Sequence, residues 1–357
     1  MGLTRNTYVQ INLNNIKDNV SSIINKFNNY EYYFGVVKAN CYGHKDIKTV
    51  KAILEGGCNY LAVATLDEAL YIRKYIKNIP ILCLGVIPSE YIKICKKKDI
   101  TITINSLDYM KELSKENIKK LKAHIKINTG MNRLGISNVE EVLHVMELAK
   151  NSNIILEGIY THIYEALNVE LYNKQKEKFE AILKSINGNK IFKIVHMSAS
   201  DACALYEKPD FVNGCRLGII MYGFTLQKDL NLKSTFELYS EVIQINTIKR
   251  DETVGYNGLY KGKEEEEKIA VVSIGYDDGI IRKNTGRYVY INDKRYPIVG
   301  NVCMDMLFIR IDDDVKVHDK VTILKDINHI EEVAKYLDTI PYEIICSIGD
   351  RVERKYC

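Results

Sequence analysis

The chain has 357 residues, 46% of them hydrophobic and 27% charged, which is room for one large α/β domain and a smaller one. Its 50 Lys+Arg against 46 Asp+Glu leave a formal charge of +4, no reason to invoke nucleic acid or an anionic membrane as partner. Nine cysteines, an odd count without C-x-x-C pairs, indicate neither a disulfide framework nor a zinc or other metal site, and fit a reducing, cytoplasmic setting.

The opening "MGLTRNTYVQINL" lacks the apolar core of a signal peptide, and Asn6 spoils a myristoylation reading of Gly2. No apolar run approaches the roughly 18 residues that span a bilayer. The first strand-like run is "YFGVVKA" (33–39), where two valines lead to Lys38 and the turn-prone Ala-Asn-Cys-Tyr-Gly follows. A lysine at such a point either snorkels to water or is held dry enough to lose its proton and attack a carbonyl carbon. Seven more runs follow in order: "YLAVAT" (60–65), "ILCLGVI" (81–87), "ITITI" (100–104), "AHIKINT" (123–129), "LEGIYTH" (156–162), "IFKIVHM" (191–197) and "CRLGIIM" (215–221). Amphipathic stretches such as "DEALYIRKYI" and "EEVLHVMELAK" separate them, and the lysines of "KKKDI" and "KENIKKLKAH" read as solvated helix faces. Strands alternating with helices imply right-handed βαβ units; eight of them imply a (β/α)₈ TIM-type barrel rather than a doubly wound sheet, since no G-x-G-x-x-G follows the first strand.

Beyond residue 230 the pattern becomes mostly β, in "ELYSEVIQINTIKR", "KIAVVSIGY", "RYVYINDKRYPIVG", "MLFIRI" and "KVTILKD", with a turn at Asn292-Asp293 and one helix, "HIEEVAKYL". The expected division is a barrel over 1–230, its first residues able to join the second domain, and a β domain over 231–357; the boundary falls near 226–234.

The C-terminal strand ends of a barrel carry its chemistry, and the loops after the seventh and eighth strands commonly hold phosphate. There the sequence offers Lys38, with Asn40 and Tyr42 beyond it, and Arg133 in "NTGMNRLGI". It adds His162, then Ser198 and Ser200 in "HMSASDA", and Arg216 followed by Gly218 and Ile219. Singly, Ser200 could be a helix cap, His162 a core histidine and Arg133 half of a rim ion pair. Together, an amine, an imidazole, two guanidiniums and a serine/glycine pair suit a phosphorylated aldehyde cofactor.

The motif "VVKANCYGH" resembles the cofactor-lysine motif of the alanine racemase family. "INTGMNRLGI", "IYTHI", "CRLGIIMYG", "VGYNGLY", "SIGYDDGI" and "VGNVCMDM" match further blocks of that family in order, and "TYVQINLNNIKDNV" resembles its opening strand and helix. The resemblance implies pyridoxal 5′-phosphate bonded to Lys38, and racemisation of a small amino acid, L-alanine to D-alanine, supplying cell-wall precursor. Lys38 and Tyr256 would be bases on opposite faces of the substrate. Arg216 would face the pyridine nitrogen, and His162 would lie by the ring. Tyr42, Ser200, Gly218 and Ile219 would hold the phosphate. Arg133 and Met304 would bind the substrate carboxylate, and Lys126 matches a lysine carbamylated in some members. Tyr256 and Met304 reach the site from the partner in that family, so the resemblance also implies a head-to-tail homodimer.

Four positions depart from the family pattern. Ala199 stands where the family has asparagine. Asn132 stands for a usual glycine, and Asn128 for a usual aspartate. In "CSIGDRVERKYC", Asp350 occupies the place of a tyrosine that narrows the pocket, which keeps open a serine, lysine or ornithine racemase beside alanine. A pyridoxal phosphate carrier without catalysis and a decarboxylase of basic amino acids are the readings from other classes.

Overall fold

Strand β1 (Tyr8–Ile11) pairs outside the barrel; the next eight strands form it. They are β2 (Tyr32–Val36), β3 (Tyr60–Val63), β4 (Ile81–Cys83), β5 (Ile100–Ile104), β6 (Lys122–Lys126), β7 (Ile155–Tyr160), β8 (Ile194–Ala199) and β9 (Gly214–Leu217). In this computed structural model, which describes residues 4–116, 118–227 and 229–357, they make a closed parallel barrel in chain order. Closure is the pairing of β9 back onto β2, from Tyr32 opposite Gly214 to Gly35 opposite Leu217. Gly2, and Lys228 within the expected boundary segment, lie outside the described residues.

Continuous apolar, β-branched runs such as Ile100–Ile104 are buried at every position, as strands covered by helices on one side and barrel interior on the other must be. The interior is filled with rings. Phe34 stacks on Tyr60 at 4.4 Å and on His196 at 4.6 Å, and His196 stacks on Tyr160 at 4.6 Å. This is a packed core rather than a pore.

The expected runs overshoot at their ends. β2 stops at Val36, and Lys38 opens a turn instead of closing the strand. "CRLGIIM" divides at Gly218 into β9 and a 3₁₀ turn, Ile219–Tyr222. "IFKIVHM" begins three residues late because Ile191 still belongs to the short helix Gly188–Ile191. Apolarity continues through these turns because they remain buried, so hydrophobic pattern alone cannot mark where the hydrogen-bonded ladder ends.

The chain separates into two compact units, one of Ile16–Cys41 and Asp46–Leu232, the other of Met1–Asn15, Tyr42–Lys45 and Lys233–Cys357. The second unit is mostly β. Its strands are β10 (Phe236–Lys249), β11 (Thr253–Val254), β12 (Tyr260–Lys261), β13 (Glu266–Val272), β14 (Tyr288–Ile291), β15 (Lys294–Val299), β16 (Leu307–Ile311), β17 (Lys320–Leu324) and β18 (Glu353–Tyr356). The large sheet runs β13-β16-β15-β14-β17-β10-β1-β18. Long β10 pairs β17 with its first half and β13 with its second, past a register break at Val242/Gln244. The β14–β15 hairpin turns at Asn292 and Asp293, both at positive φ (49° and 62°), as the Asn-Asp pair predicts. Two helices, not one, stand near the C-terminus. Asp326 caps Ile327–Tyr336, and Pro341 starts Pro341–Cys346, whose six residues are too short to show a period in the sequence.

Candidate active site

Lys38 stands two residues beyond the end of β2 and is half-buried. After it Ala39, Asn40, Cys41 and Tyr42 all take left-handed backbone, with φ between 51° and 54°. Non-glycine residues avoid this region at roughly 1–2 kcal/mol each, so something must hold the turn. One clamp is Glu68. Its Oε1 accepts from Ala39 N at 2.7 Å, and its Oε2 accepts from Ala64 N at 2.8 Å and Thr65 N at 3.2 Å. Thr65 and Glu68 form a capping box on the helix Leu66–Tyr75, so the carboxylate that starts one helix also pins the turn behind Lys38.

Arg216, on β9, is 3% exposed and is the hub of the barrel mouth. Its Nη2 donates to the carbonyls of Thr161 (2.8 Å) and Met197 (3.0 Å) and to His162 Nδ1 (3.3 Å). Its Nη1 donates to His196 Nδ1 at 2.7 Å. A guanidinium only donates, so His162 and His196 both accept on Nδ1 and carry their hydrogens on Nε2. His196 Nε2 then donates to His124 Nδ1 at 2.9 Å, and His124 Nε2 points toward Glu157 Oε2 at 3.6 Å. Tyr60 donates to the same carboxylate oxygen at 2.9 Å. The result is a directed chain from Arg216 to Glu157 through two neutral imidazoles. Burial, then Arg216, drives His196 well below its usual range. Motif and strand-end position do not single out His124 and Glu157. They face each other across strands 33 residues apart, and their only sequence signal is a polar residue at inward-facing strand positions.

The mouth concentrates positive charge. Burial, then Arg216, Lys126, Arg133 and Lys38, push His162 down to about 2. Burial, then Arg216 and Arg133, lower the Lys126 amine to about 7; its Nζ donates to the Ile127 carbonyl at 3.0 Å and lies 5.2 Å from the Tyr160 ring centre. Arg216 is lowered to about 10 by burial and stays protonated. No carboxylate figures among the causes of these shifts, so the cluster suits an anionic, phosphorylated ligand.

Arg133 is exposed, on the loop after β6. Asn128 organises that loop: its Oδ1 accepts from Gly130 N (3.1 Å) and Asn132 N (3.0 Å), and Asn132 sits at φ 56°. An amide thus accepts as an aspartate would, and asparagine tolerates the left-handed backbone of a glycine, so both departures are accommodated. Ser200 is buried, and its Oγ accepts from Gly218 N at 3.0 Å, bringing together the two loops expected to hold phosphate. Ile219 is buried beside them. Ala199 caps the helix Ser200–Leu205 without a side-chain bond.

Four expected residues belong to the β unit. Tyr42 is buried, its ring 5.9 Å from that of Tyr342, and burial raises its phenol. Tyr256 is 70% and Met304 51% exposed; Asn301 Nδ2 donates to the Tyr256 carbonyl at 2.7 Å. Asp350 is exposed, and Lys45 Nζ donates to its Oδ1 at 2.5 Å.

A closed eight-stranded barrel with a lysine on the turn after its first strand and a buried arginine–histidine cluster at its mouth defines a barrel enzyme with a cationic mouth. Residues 11–225 match the family "Alanine racemase, N-terminal domain", and 235–356 match "Alanine racemase, C-terminal domain". The chain belongs to the alanine racemase family. It is 36% identical over 366 residues to alanine racemase 1 of Bacillus subtilis, covering 99% of this chain and 93% of that one. With alanine racemase of Listeria innocua the figure is 35% over 370 residues, covering 99% of each. Among solved structures, alanine racemase from Bacillus anthracis with bound L-Ala-P superposes with a TM-score of 0.93 at 33% identity, covering 100% of this chain and 96% of that one. Among the described residues, no helix is long and apolar enough to cross a membrane.

Proposed function

We propose that this chain interconverts L- and D-alanine with pyridoxal 5′-phosphate as cofactor and two bases, supplying D-alanine for cell-wall precursors from the cytoplasm, as a head-to-tail homodimer. The observation that carries the reading is Lys38 on a clamped turn of the same barrel that builds the Arg216–His162–Lys126 cluster. When bound, pyridoxal phosphate supplies an electron sink that acidifies the substrate α-hydrogen. Lys38 would bond it, Ser200, Gly218, Ile219 and Tyr42 would hold its phosphate, and Arg216 would face its ring nitrogen.

Inverting a stereocentre requires removing the α-proton on one face and returning one on the other, which one rigid group does poorly. Lys38 Nζ serves one face and Tyr256 Oη, from the partner subunit's copy of the β unit, the other. His162 accepts from Arg216 on Nδ1. Its Nε2–H is left as a donor, suited to stabilise a phenolate and so bring a tyrosine into range near neutrality. Arg133 and the Met304 backbone would take the substrate carboxylate.

Alanine is favoured over a basic substrate because Asp350, the one new carboxylate, already pairs with Lys45. Circular dichroism of L-alanine tests the reading: ellipticity decays to zero with no carbon dioxide released, and borohydride reduction marks Lys38 alone. Gas evolution would indicate the decarboxylase, and an unchanged signal the carrier. Tyr256→Phe should slow the L-to-D direction by roughly 10²–10⁴-fold while leaving the cofactor absorbance intact; near-normal turnover in both directions would refute the second base.

A further inference from the structure

In the β unit, Tyr256 is carried by a pliable stretch of backbone. Gly255, Asn257 and Gly258 all take positive φ, at 71°, 63° and 56°. The turn's own bond, from Gly258 N to the Gly255 carbonyl, is 3.4 Å long, near the limit of hydrogen-bond geometry. The phenol is largely exposed and gains little from packing on its own chain. A working base must be held within about 0.5 Å of its productive place, so this turn needs support from outside itself.

Asn301, buried in the loop between β15 and β16, supplies it. Its Nδ2 donates to the Tyr256 carbonyl at 2.7 Å, and its Oδ1 accepts from Arg282 Nη2, also at 2.7 Å. With both ends of the amide engaged, the side chain neither flips nor swings. The loop behind it is tied at several points. The Thr285 hydroxyl donates to the Gly300 carbonyl at 2.7 Å, and Cys303 N to the Met306 carbonyl at 2.8 Å. Tyr276 N and Asp277 N donate to the carbonyls of Cys303 and Met304 at 2.9 and 3.1 Å. Asn301 therefore fastens a pliable turn to a well-anchored loop, and that loop carries Met304.

We propose that Asn301 is a positioning residue for racemisation, locking Tyr256 and the Met304 backbone into one piece so that both meet the substrate in register. It acts through Tyr256 rather than on the substrate, and the proposal rests on the reading of Tyr256 as the second base.

Asn301→Leu keeps the branched outline of the side chain and removes both of its bonds. In the full-length, cofactor-loaded protein, kcat/KM for alanine should fall about 10–10²-fold, the cost of misplacing a reacting group by roughly an ångström. Deuterium at the α-carbon gives a readout that a merely structural role would not move. Proton removal on the Tyr256 face becomes the slower step. The isotope effect on kcat/KM should therefore rise for α-deuterated L-alanine and fall for α-deuterated D-alanine, whose deuteron Lys38 would take. In a Tyr256→Phe background, adding Asn301→Leu should cost less than about twofold more, because the two residues act as a unit. Arg282→Met, a surface change that releases the Asn301 Oδ1, should shift both isotope effects with the same signs, and carries the test if Asn301→Leu melts early by circular dichroism. Isotope effects at wild-type values in a folded variant, or an undiminished loss in the Tyr256→Phe background, overturn the proposal and leave Tyr256 as the base. Near-normal turnover of Tyr256→Phe alone removes the second base and this proposal with it.

Discussion

The Lys126 amine is held near pH 7 because it is buried beside Arg216 and Arg133, whose charges make a further cation unwelcome. Only the unprotonated amine can add carbon dioxide, and adding it replaces a third cation by an anion between two guanidiniums. Lys126 should therefore take up ¹³C-bicarbonate as a carbamate, rising as pH rises through about 7. Nuclear magnetic resonance should show one such signal, lost in Lys126→Met; a signal that survives the substitution assigns it elsewhere. Asp350 is the other informative residue. Its carboxylate is exposed and tied to Lys45, and such surface pairs contribute no more than about 1 kcal/mol. Asp350→Asn should leave stability within that range and change kcat/KM for alanine, serine, lysine and ornithine by the same factor, with alanine fastest. A selective fall for lysine and ornithine would mean that Asp350 reaches a substrate ammonium.

Among elements, the left-handed turn Ala39–Tyr42 and the helix Leu66–Tyr75 are coupled through Glu68, whose two oxygens serve three backbone donors. Removing it takes a capping box from the helix and a counterweight from the strained turn. Glu68→Ala should cost about 1–3 kcal/mol by chemical denaturation, and should weaken cofactor retention on Lys38 although Glu68 lies outside the set expected to touch it. Glu68→Gln, which keeps the oxygen for Ala39 N, should recover most of the retention. If cofactor affinity is unmoved in Glu68→Ala, the turn is held by other means. Half of this coupling is legible in the sequence: Thr65-x-x-Glu68 before an apolar run is a helix start. The other half is not, because reach across 29 residues to Ala39 depends on β2 and β3 being neighbours. His124 and Glu157 are illegible for the same reason. Lys38, His162 and Arg216, by contrast, stand at or just beyond strand ends, and strand ends can be read from local pattern to within a few residues.

At the scale of the whole molecule, the two residues proposed as bases belong to different compact units, Lys38 to the barrel and Tyr256 to the β unit. Tyr256 is 70% exposed on the single chain, an unusual position for a group that must work in a water-poor site. Burying it against a second copy would resolve that, and a two-fold dimer provides two equivalent sites, each taking Lys38 from one subunit and Tyr256 from the other. Subunit mixing tests this directly. Lys38→Ala and Tyr256→Phe homodimers are each expected to be inactive in both directions, since L- and D-alanine are equal in energy. After exchange, a heterodimer has one site with both substitutions and one with neither. Random pairing makes half the dimers heterodimers, so about one quarter of wild-type turnover should return. Bases supplied by the same chain would give no recovery, because every site would then keep one defect however the subunits are paired.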